Sequence, residues 1–298
     1  MNDQHRGMLA AFTAYTIFGL SFLFSKRALG IVSPMVLLCV RFGVTLLALN
    51  LLVLFRVFKL DLKGKKLGGA LLLGLFQPVL YFILENYGLG LTTTSFAGMM
   101  SSLSPVMTAI LGTLILKERP NAKQWASIAV SVAGVMLITL RPGGGENTLA
   151  GCLCLVGAYL CGSMYTLLSR RLSGSFRPFD LTYVMFNVGF AFFALGALAE
   201  NGAETVRVIA EALSHSEFVT GVLFLSLASS VGAFLLINYA LSRLPVAQAA
   251  VFNNLTALVS VLAGVLVMKD PFSPVSVAAF ALILLGVWGV NRYAAESK

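Results

Sequence analysis

The chain has 298 residues, 58% of them hydrophobic and 11% charged, with a formal net charge of +9 and a mean hydropathy of +0.90. Soluble domains carry about 25% charged residues, so an ordinary soluble fold is excluded. The excess of Lys and Arg calls for no nucleic-acid partner, because its distribution along the chain is that of a membrane-topology signal.

Ten apolar runs are expected to cross a bilayer, at 8–26, 35–55, 67–85, 93–115, 124–140, 149–168, 181–199, 218–240, 245–267 and 274–292. At about 1.5 Å per residue, runs of this kind match a hydrocarbon core about 30 Å thick. They are apolar all round, unlike the one-sided helices of a large soluble core. The first run is full length and lacks a small-residue cleavage site, so it reads as a span and not as a cleaved signal peptide. The loops are too short for a soluble domain.

In chain order, the first span carries Tyr15, an aromatic ring for packing or for stacking on a substrate. The second carries Arg41, the one formal charge well inside a span, about 9 Å along the helix from Met35. An intramembrane Arg is costly unless paired or hydrated, which makes it a functional candidate; snorkelling and a structural ion pair are the plainer readings. The third span places Gln77, Tyr81 and Glu85 at i, i+4 and i+8, a polar stripe. Glu85 is the only carboxylate near the depth of Arg41, so the two are expected to act as an ion pair or gate. The fourth span places Ser101, Ser104 and Thr108 on one helical face.

Ser127, Ser131 and Gly134 in the fifth span, with Ala279 and Gly286 in the tenth, are small residues suited to close helix approach. The sixth span carries Tyr159. The stretch 204–217 puts Val206, Ile209 and Leu213 at helical spacing, as in a short surface helix. The ninth carries Asn253, Asn254, Thr256 and Ser260. An amide in hydrocarbon needs partners for both donor and acceptor, so the two Asn are the sharpest of these. Helix packing by small polar residues weighs equally with a cavity lining.

With the N-terminus inside, the inner segments hold fifteen of the 21 Lys and Arg. The outer loops hold Lys26, Arg27, Arg141, Arg207 and Lys269. That bias predicts cytoplasmic termini. Cys39, Cys152, Cys154 and Cys161 lie in or at apolar spans without a metal-binding spacing and read as packing residues. No P-loop, Ser–His–Asp set or His cluster is present, so no enzyme, metal or cofactor is expected.

The chain also repeats itself. Shifted by 152 positions, Lys117-Glu118 falls on Lys269-Asp270, Gly134 on Gly286 and "NYGL" at 86–89 on "NYAL" at 238–241. Shifted by 144, "GMLAAFTAY" at 7–15 falls on "GCLCLVGAY" at 151–159. Ser101, Ser104 and Thr108 then correspond to Asn253, Thr256 and Ser260. Arg41 and Glu85 have no charged counterpart in the second copy, Glu85 falling on Ile237, so both charges are absent together from it. Two five-helix units are expected, 1–144 and 145–298. Five is odd, so the copies have opposite orientation, with a central cavity at their interface.

"FGLSFLFSKRALGIVSPMVLLCVRF" at 18–42 and "YGLGLTTTSFAGMMSSLSPVMTAILGTLILKERPNAKQWASIAVSVAGVMLI" at 87–138 resemble EamA-type members of the drug/metabolite transporter superfamily. The marks are Ser33-Pro34, Arg41-Phe42, Pro105, and Glu118-Arg119 followed by Gly134. The resemblance implies an all-α membrane protein of ten helices in two inverted halves around a cavity, moving small metabolites, often outward, in a bacterial-type plasma membrane. Ala257 departs from the pattern where Pro105 has its counterpart.

A buried phosphate needs several fixed cations, and Arg41 is the only one within a span. The expectation is therefore a secondary transporter or facilitator of neutral or zwitterionic metabolites. Amino acids are the leading case and export the expected direction. The alternative is a channel or an auxiliary membrane subunit. Partners are the small-molecule substrate and the lipid bilayer. If Arg41 holds Glu85, that carboxylate is a poor proton carrier near neutral pH, which favours a facilitator or exchanger over proton coupling.

Overall fold

The computed structural model describes residues 3–115, 121–139, 147–172, 174–243 and 246–294. The turn at Lys117-Glu118-Arg119 and the side chain of Asn253 lie outside the described residues. Those described are helical, with no strand among them.

The chain starts with α1 (Asp3–Leu29) and α2 (Pro34–Leu54). Ser33 caps α2, its Oγ accepting from the Val36 N–H at 3.3 Å, and Pro34 occupies the first helical position, where its missing N–H costs nothing. The third span is two pieces, α3 (Gly68–Gly74) and α4 (Tyr81–Gly90), joined through an irregular turn at Leu75–Leu80. Gln77 there is extended (φ −145°, ψ 117°), as a residue before proline prefers, and Pro78 supplies no N–H to continue the helix.

The fourth span is also two pieces, α5 (Thr94–Ser101) and α6 (Ser104–Ile115). Pro105 cannot donate to the Ser101 carbonyl. The Ser104 hydroxyl does so instead, at 3.0 Å. Then come α7 (Ala122–Thr139), α8 (Leu149–Leu172), α9 (Pro178–Asn201) and α10 (Thr205–Ser214). The eighth span runs from α11 (Ser216–Leu223) through a widened stretch at Phe224–Ala233 into α12 (Phe234–Arg243). The chain closes with α13 (Val246–Ala263), a widened turn at Gly264–Met268, and α14 (Pro274–Ala294).

Seven helical stretches among the described residues are long and apolar enough to cross a membrane. Ala122–Leu137, Asn254–Met268 and Pro274–Val290 are apolar but shorter, and they stand where the fifth, ninth and tenth spans were expected. Leu54 and Leu114, both 71% exposed, show an outer surface suited to hydrocarbon. The expected apolar face of the 204–217 helix is split. Val206 and Leu213 are exposed, whereas Ile209 packs inward against the cluster of α2 and α9.

α1 packs on α13 and α12, α8 on α4 and α6, α2 on α9, and α7 on α14. The α7–α14 contact is as close as the small residues suggested. A Cβ on Gly286 would stand 2.5 Å from the Ser127 carbonyl oxygen, and the Ser131 hydroxyl donates to the Ile283 carbonyl at 3.3 Å. An opening remains among α1, α4, α6, α8 and α12.

Candidate functional site

A cavity of about 560 Å³ occupies that opening. Its walls combine Phe18, Phe22, Phe82 and Phe234 with a small set of polar groups, the usual make-up of a small-molecule site.

The two breaks in the first half supply much of the polar wall. Ser101, Ser104 and Thr108 all face the cavity across the α5–α6 joint. Their hydroxyls donate within their own chain segment, Ser101 to Gly98 at 2.7 Å, Ser104 to Ser101, and Thr108 to Ser104 at 2.9 Å. Thr108 also bonds Ser163 of α8 at 3.0 Å. With donors engaged this way, the oxygens are left as acceptors. Gln77 reaches the cavity from the turn ahead of α4, and Tyr81 and Glu85 follow from α4 itself.

Glu85, 8% exposed, accepts from the Tyr81 hydroxyl at 2.7 Å through Oε1. Among the described residues its Oε2 has no hydrogen-bond partner. Arg41, 3% exposed, lines the same cavity from α2. Its Nε donates to Ser230 Oγ at 3.2 Å, and its guanidinium carbon lies 4.5 Å from the Phe82 ring centroid. That stacking is a cation–π contact. Among the described residues nothing accepts a hydrogen bond from its two terminal nitrogens.

The expected ion pair is therefore not formed: no nitrogen of Arg41 lies within 4 Å of a Glu85 oxygen in the described structure. Each charge has been taken by a nearer polar group. Tyr81 sits one helical turn before Glu85, and Ser230 arrives from the widened stretch packed on α2. This also removes the ground for treating Glu85 as a carboxylate immobilised by Arg41.

Tyr15, Tyr159 and Thr256 line the cavity as well. Tyr159 is held by a bond from its hydroxyl to the Ala97 carbonyl at 3.2 Å and sets its ring edge-on to Tyr81, 6.3 Å away. Thr256 donates to the Tyr15 carbonyl at 3.2 Å. Two expected residues are elsewhere. Ser260 is fully buried at the α5–α13 contact, where its hydroxyl donates to the Thr94 carbonyl at 3.1 Å and its side chain occupies the space a Cβ on Gly98 would need. Asn254 is half-buried and not among the cavity's lining residues.

The structure adds residues that sequence reasoning passed over. Ser163, Thr166 and Ser169 extend the polar wall along α8, and Ser229 joins it from the widened stretch. Tyr159, Ser163 and Thr166 recur at i, i+4 and i+7, so the spacing was visible. Hydroxyls in an apolar helix are so often packing residues that the signal carried little weight.

The two ends of the cavity differ. Beyond Glu85, Lys26 at the end of α1 donates to the Leu89 carbonyl at 2.9 Å and to the Thr92 carbonyl at 2.5 Å. Asp270 caps α5, its Oδ2 accepting from the Ser95 N–H at 2.7 Å and the Ser95 hydroxyl at 2.8 Å. The other end runs on to Thr166 and Ser169, toward the C-terminal end of α8.

Comparison with known proteins follows the same lines. The model of the EamA-like transporter family matches twice, at residues 5–140 and 149–292. The chain is 32% identical over 293 residues to the uncharacterized transporter YcxC of Bacillus subtilis, covering 97% of this chain and 94% of that one. A probable terminal-alkyne amino-acid exporter of Streptantibioticus cattleyicolor is 24% identical over 213 residues, 71% of this chain and 69% of its own. One protein crystal structure superposes with a TM-score of 0.60 over 97% of this chain and 98% of its own, at 20% identity, a likeness of fold alone.

Proposed function

The chain belongs to the EamA-like transporter family, and from that premise we propose that it is a secondary transporter or facilitator of small zwitterionic or neutral metabolites, with α-amino acids the leading substrates and export the direction. The observation that carries the reading is a guanidinium and a carboxylate lining one cavity without pairing to each other. A buried charge in a membrane is costly until it is paired. An α-amino acid offers Arg41 a carboxylate and Glu85 an ammonium, and the phenylalanine walls receive its side chain. A cavity of about 560 Å³ is in the range of about 300–1,000 Å³ typical of small-molecule sites. The name of the exporter relative agrees with this class.

The proposed architecture is ten spans in two inverted units, 1–144 and 145–298, with both termini in the cytoplasm of a bacterial-type plasma membrane. The double family match supports it. So does the packing: exchanging the units turns the α1–α13 contact into that of α8 with α5 and α6, and the α1–α12 contact into that of α8 with α4. The α2–α9 and α7–α14 contacts map onto themselves. Such a frame supports alternating access. In this reading the structure is inward-facing: the tied end near Glu85 is outside, and the end running to Ser169 is inside.

The test is counterflow in proteoliposomes preloaded with single amino acids. Saturable uptake of the labelled amino acid, accelerated by the unlabelled one on the opposite side, is expected. Non-saturating flux without counterflow would identify a channel instead, and no flux for any amino acid would remove the substrate class.

A further inference from the structure

We infer that a second, lateral pocket is a binding site for an anionic phospholipid of the inner leaflet, with one acyl chain in the pocket and the headgroup phosphate at Arg177. The pocket, about 250 Å³, is walled by Leu49 and Leu52 of α2, Phe179 and Thr182 of α9, and Val231, Phe234 and Leu235 of the eighth span. Its walls are almost wholly apolar. An apolar cavity of this size does not hold water well, and in a bilayer the available filler is hydrocarbon. Leu235 is 39% exposed, so the wall continues to the lipid-facing surface.

The rim is the opposite in character. Arg177, at the start of α9, lines the pocket with a side chain 62% exposed, and Asp61 approaches it only to 3.8 Å. In the pocket wall the Phe58 and Phe179 rings stack at 4.5 Å with 13° between their planes. Fully buried Asp180 accepts the Asp61 N–H at 3.0 Å and lies 3.5 Å from Lys65 Nζ. These two contacts pin the segment following α2, which carries exposed Arg56, Lys59, Lys63 and Lys66. An apolar slot with an exposed Arg177 at its rim is complementary to a lipid with an anionic headgroup. A zwitterionic lipid offers Arg177 no net charge. Phe234 and the segment carrying Ser230 stand between this pocket and the central cavity. The acyl chain therefore backs the same serine that holds Arg41. The naming of the leaflet rests on the orientation proposed above; the site itself does not.

The probe is a mixture of phosphatidylglycerol and phosphatidylcholine with identical chains, added in equal amounts to the delipidated full-length protein in detergent. Native mass spectrometry counts the lipid retained. Wild type is expected to retain phosphatidylglycerol about fivefold over phosphatidylcholine, the factor one basic side chain supplies near an anionic surface. Arg177→Gln should bring the two lipids to parity, and Leu52→Trp should lose both by filling the slot. Leu54→Trp, at a 71% exposed position outside the pocket, should behave as wild type. If Leu52→Trp does not fold, Leu235→Trp from the facing wall reads the same loss. Equal retention of the two lipids by wild type, or undiminished retention in the filled pocket, would overturn the inference. Because no step measures transport, failure here leaves the carrier reading standing, and failure of counterflow leaves this one standing.

Discussion

Glu85→Gln is the sharpest perturbation of the proposed carrier. The amide keeps the shape of the carboxylate and keeps an oxygen to accept from the Tyr81 hydroxyl, now 2.7 Å from Oε1. What it removes is the negative charge facing the cavity. A hydrogen bond to a charged group contributes about 1.5–3 kcal/mol, and about 1.4 kcal/mol is tenfold in affinity. The half-saturation concentration for counterflow of the best amino acid should therefore rise roughly 10- to 150-fold, with the folded yield unchanged. Loss of affinity alone does not show which end of the substrate was held. The substrate is therefore modified in parallel, in a double-mutant cycle. The analogue lacking the amino group should bind wild type and Glu85→Gln equally weakly. The analogue lacking the carboxylate should still distinguish them. Arg41→Gln should show the reverse pattern. If both analogues lose as much affinity in Glu85→Gln as in wild type, the assignment of an ammonium to Glu85 is wrong.

Three further outcomes follow from the packing and the ends of the cavity. Thr108→Val removes a cavity hydroxyl bonded to Ser163 at 3.0 Å and should lower transport several-fold at an unchanged melting temperature, whereas Ser260→Val, at the buried α5–α13 contact, should lower the melting temperature first; the opposite ranking in paired counterflow and thermal-unfolding measurements would reverse their roles. Gly286→Ala puts a Cβ about where the Ser127 carbonyl oxygen and Ser131 stand, and should cost about 1–3 kcal/mol by overpacking α7 on α14; unchanged thermal stability would show that the helices separate easily. Asp270→Ala removes the acceptor of two bonds from Ser95 and should raise labelling of a cysteine at Ser101 by a membrane-impermeant reagent from the side of Asp270, in a background with the four native cysteines replaced; unchanged labelling would mean that this contact does not seal the cavity.

Hydropathy made the spanning character legible, because a bilayer imposes one length and one solvent on every run. The polar stripe Gln77, Tyr81 and Glu85 was legible for the same reason: a polar group in hydrocarbon must face something. The break within that stripe went unread, although Pro78 was there to signal it. Regular spacing had suggested one continuous helix, yet Gln77 still faces the cavity because the break re-aims it. The pairing of Arg41 was not legible at all. Its partner Ser230 lies 189 residues away, and no local rule says which hydroxyl a long side chain will meet. Ser260 and Thr108 illustrate the same limit from the other side. They occupy corresponding positions and have similar chemistry, but the closeness of Gly98 to α13 turns one of them into a packing residue.

In the proposed repeat the two halves share a frame and differ in chemistry, and the difference bears on how a substrate is held. Shifted by 152 positions, the turn at Leu75–Leu80 falls inside the widened stretch Phe224–Ala233. Gln77 falls on Ser229 and Pro78 on Ser230. Both proposed units thus leave the regular α-helix at corresponding positions, one through a proline and one through serines and a glycine, and both Gln77 and Ser229 face the cavity. A widened or broken turn releases backbone groups that a continuous helix would satisfy, which is tolerable in a membrane only where protein or a cavity receives them. The charges do not repeat. Arg41 falls on Met185 at the 144 shift, and Glu85 falls on Ile237 at the 152 shift. Had both units carried both charges, a zwitterion would find two equivalent, opposed poses. With one guanidinium on α2 and one carboxylate on α4, only one pose of the proposed zwitterionic substrate matches both charges, so the proposed alternating access would keep a single substrate orientation.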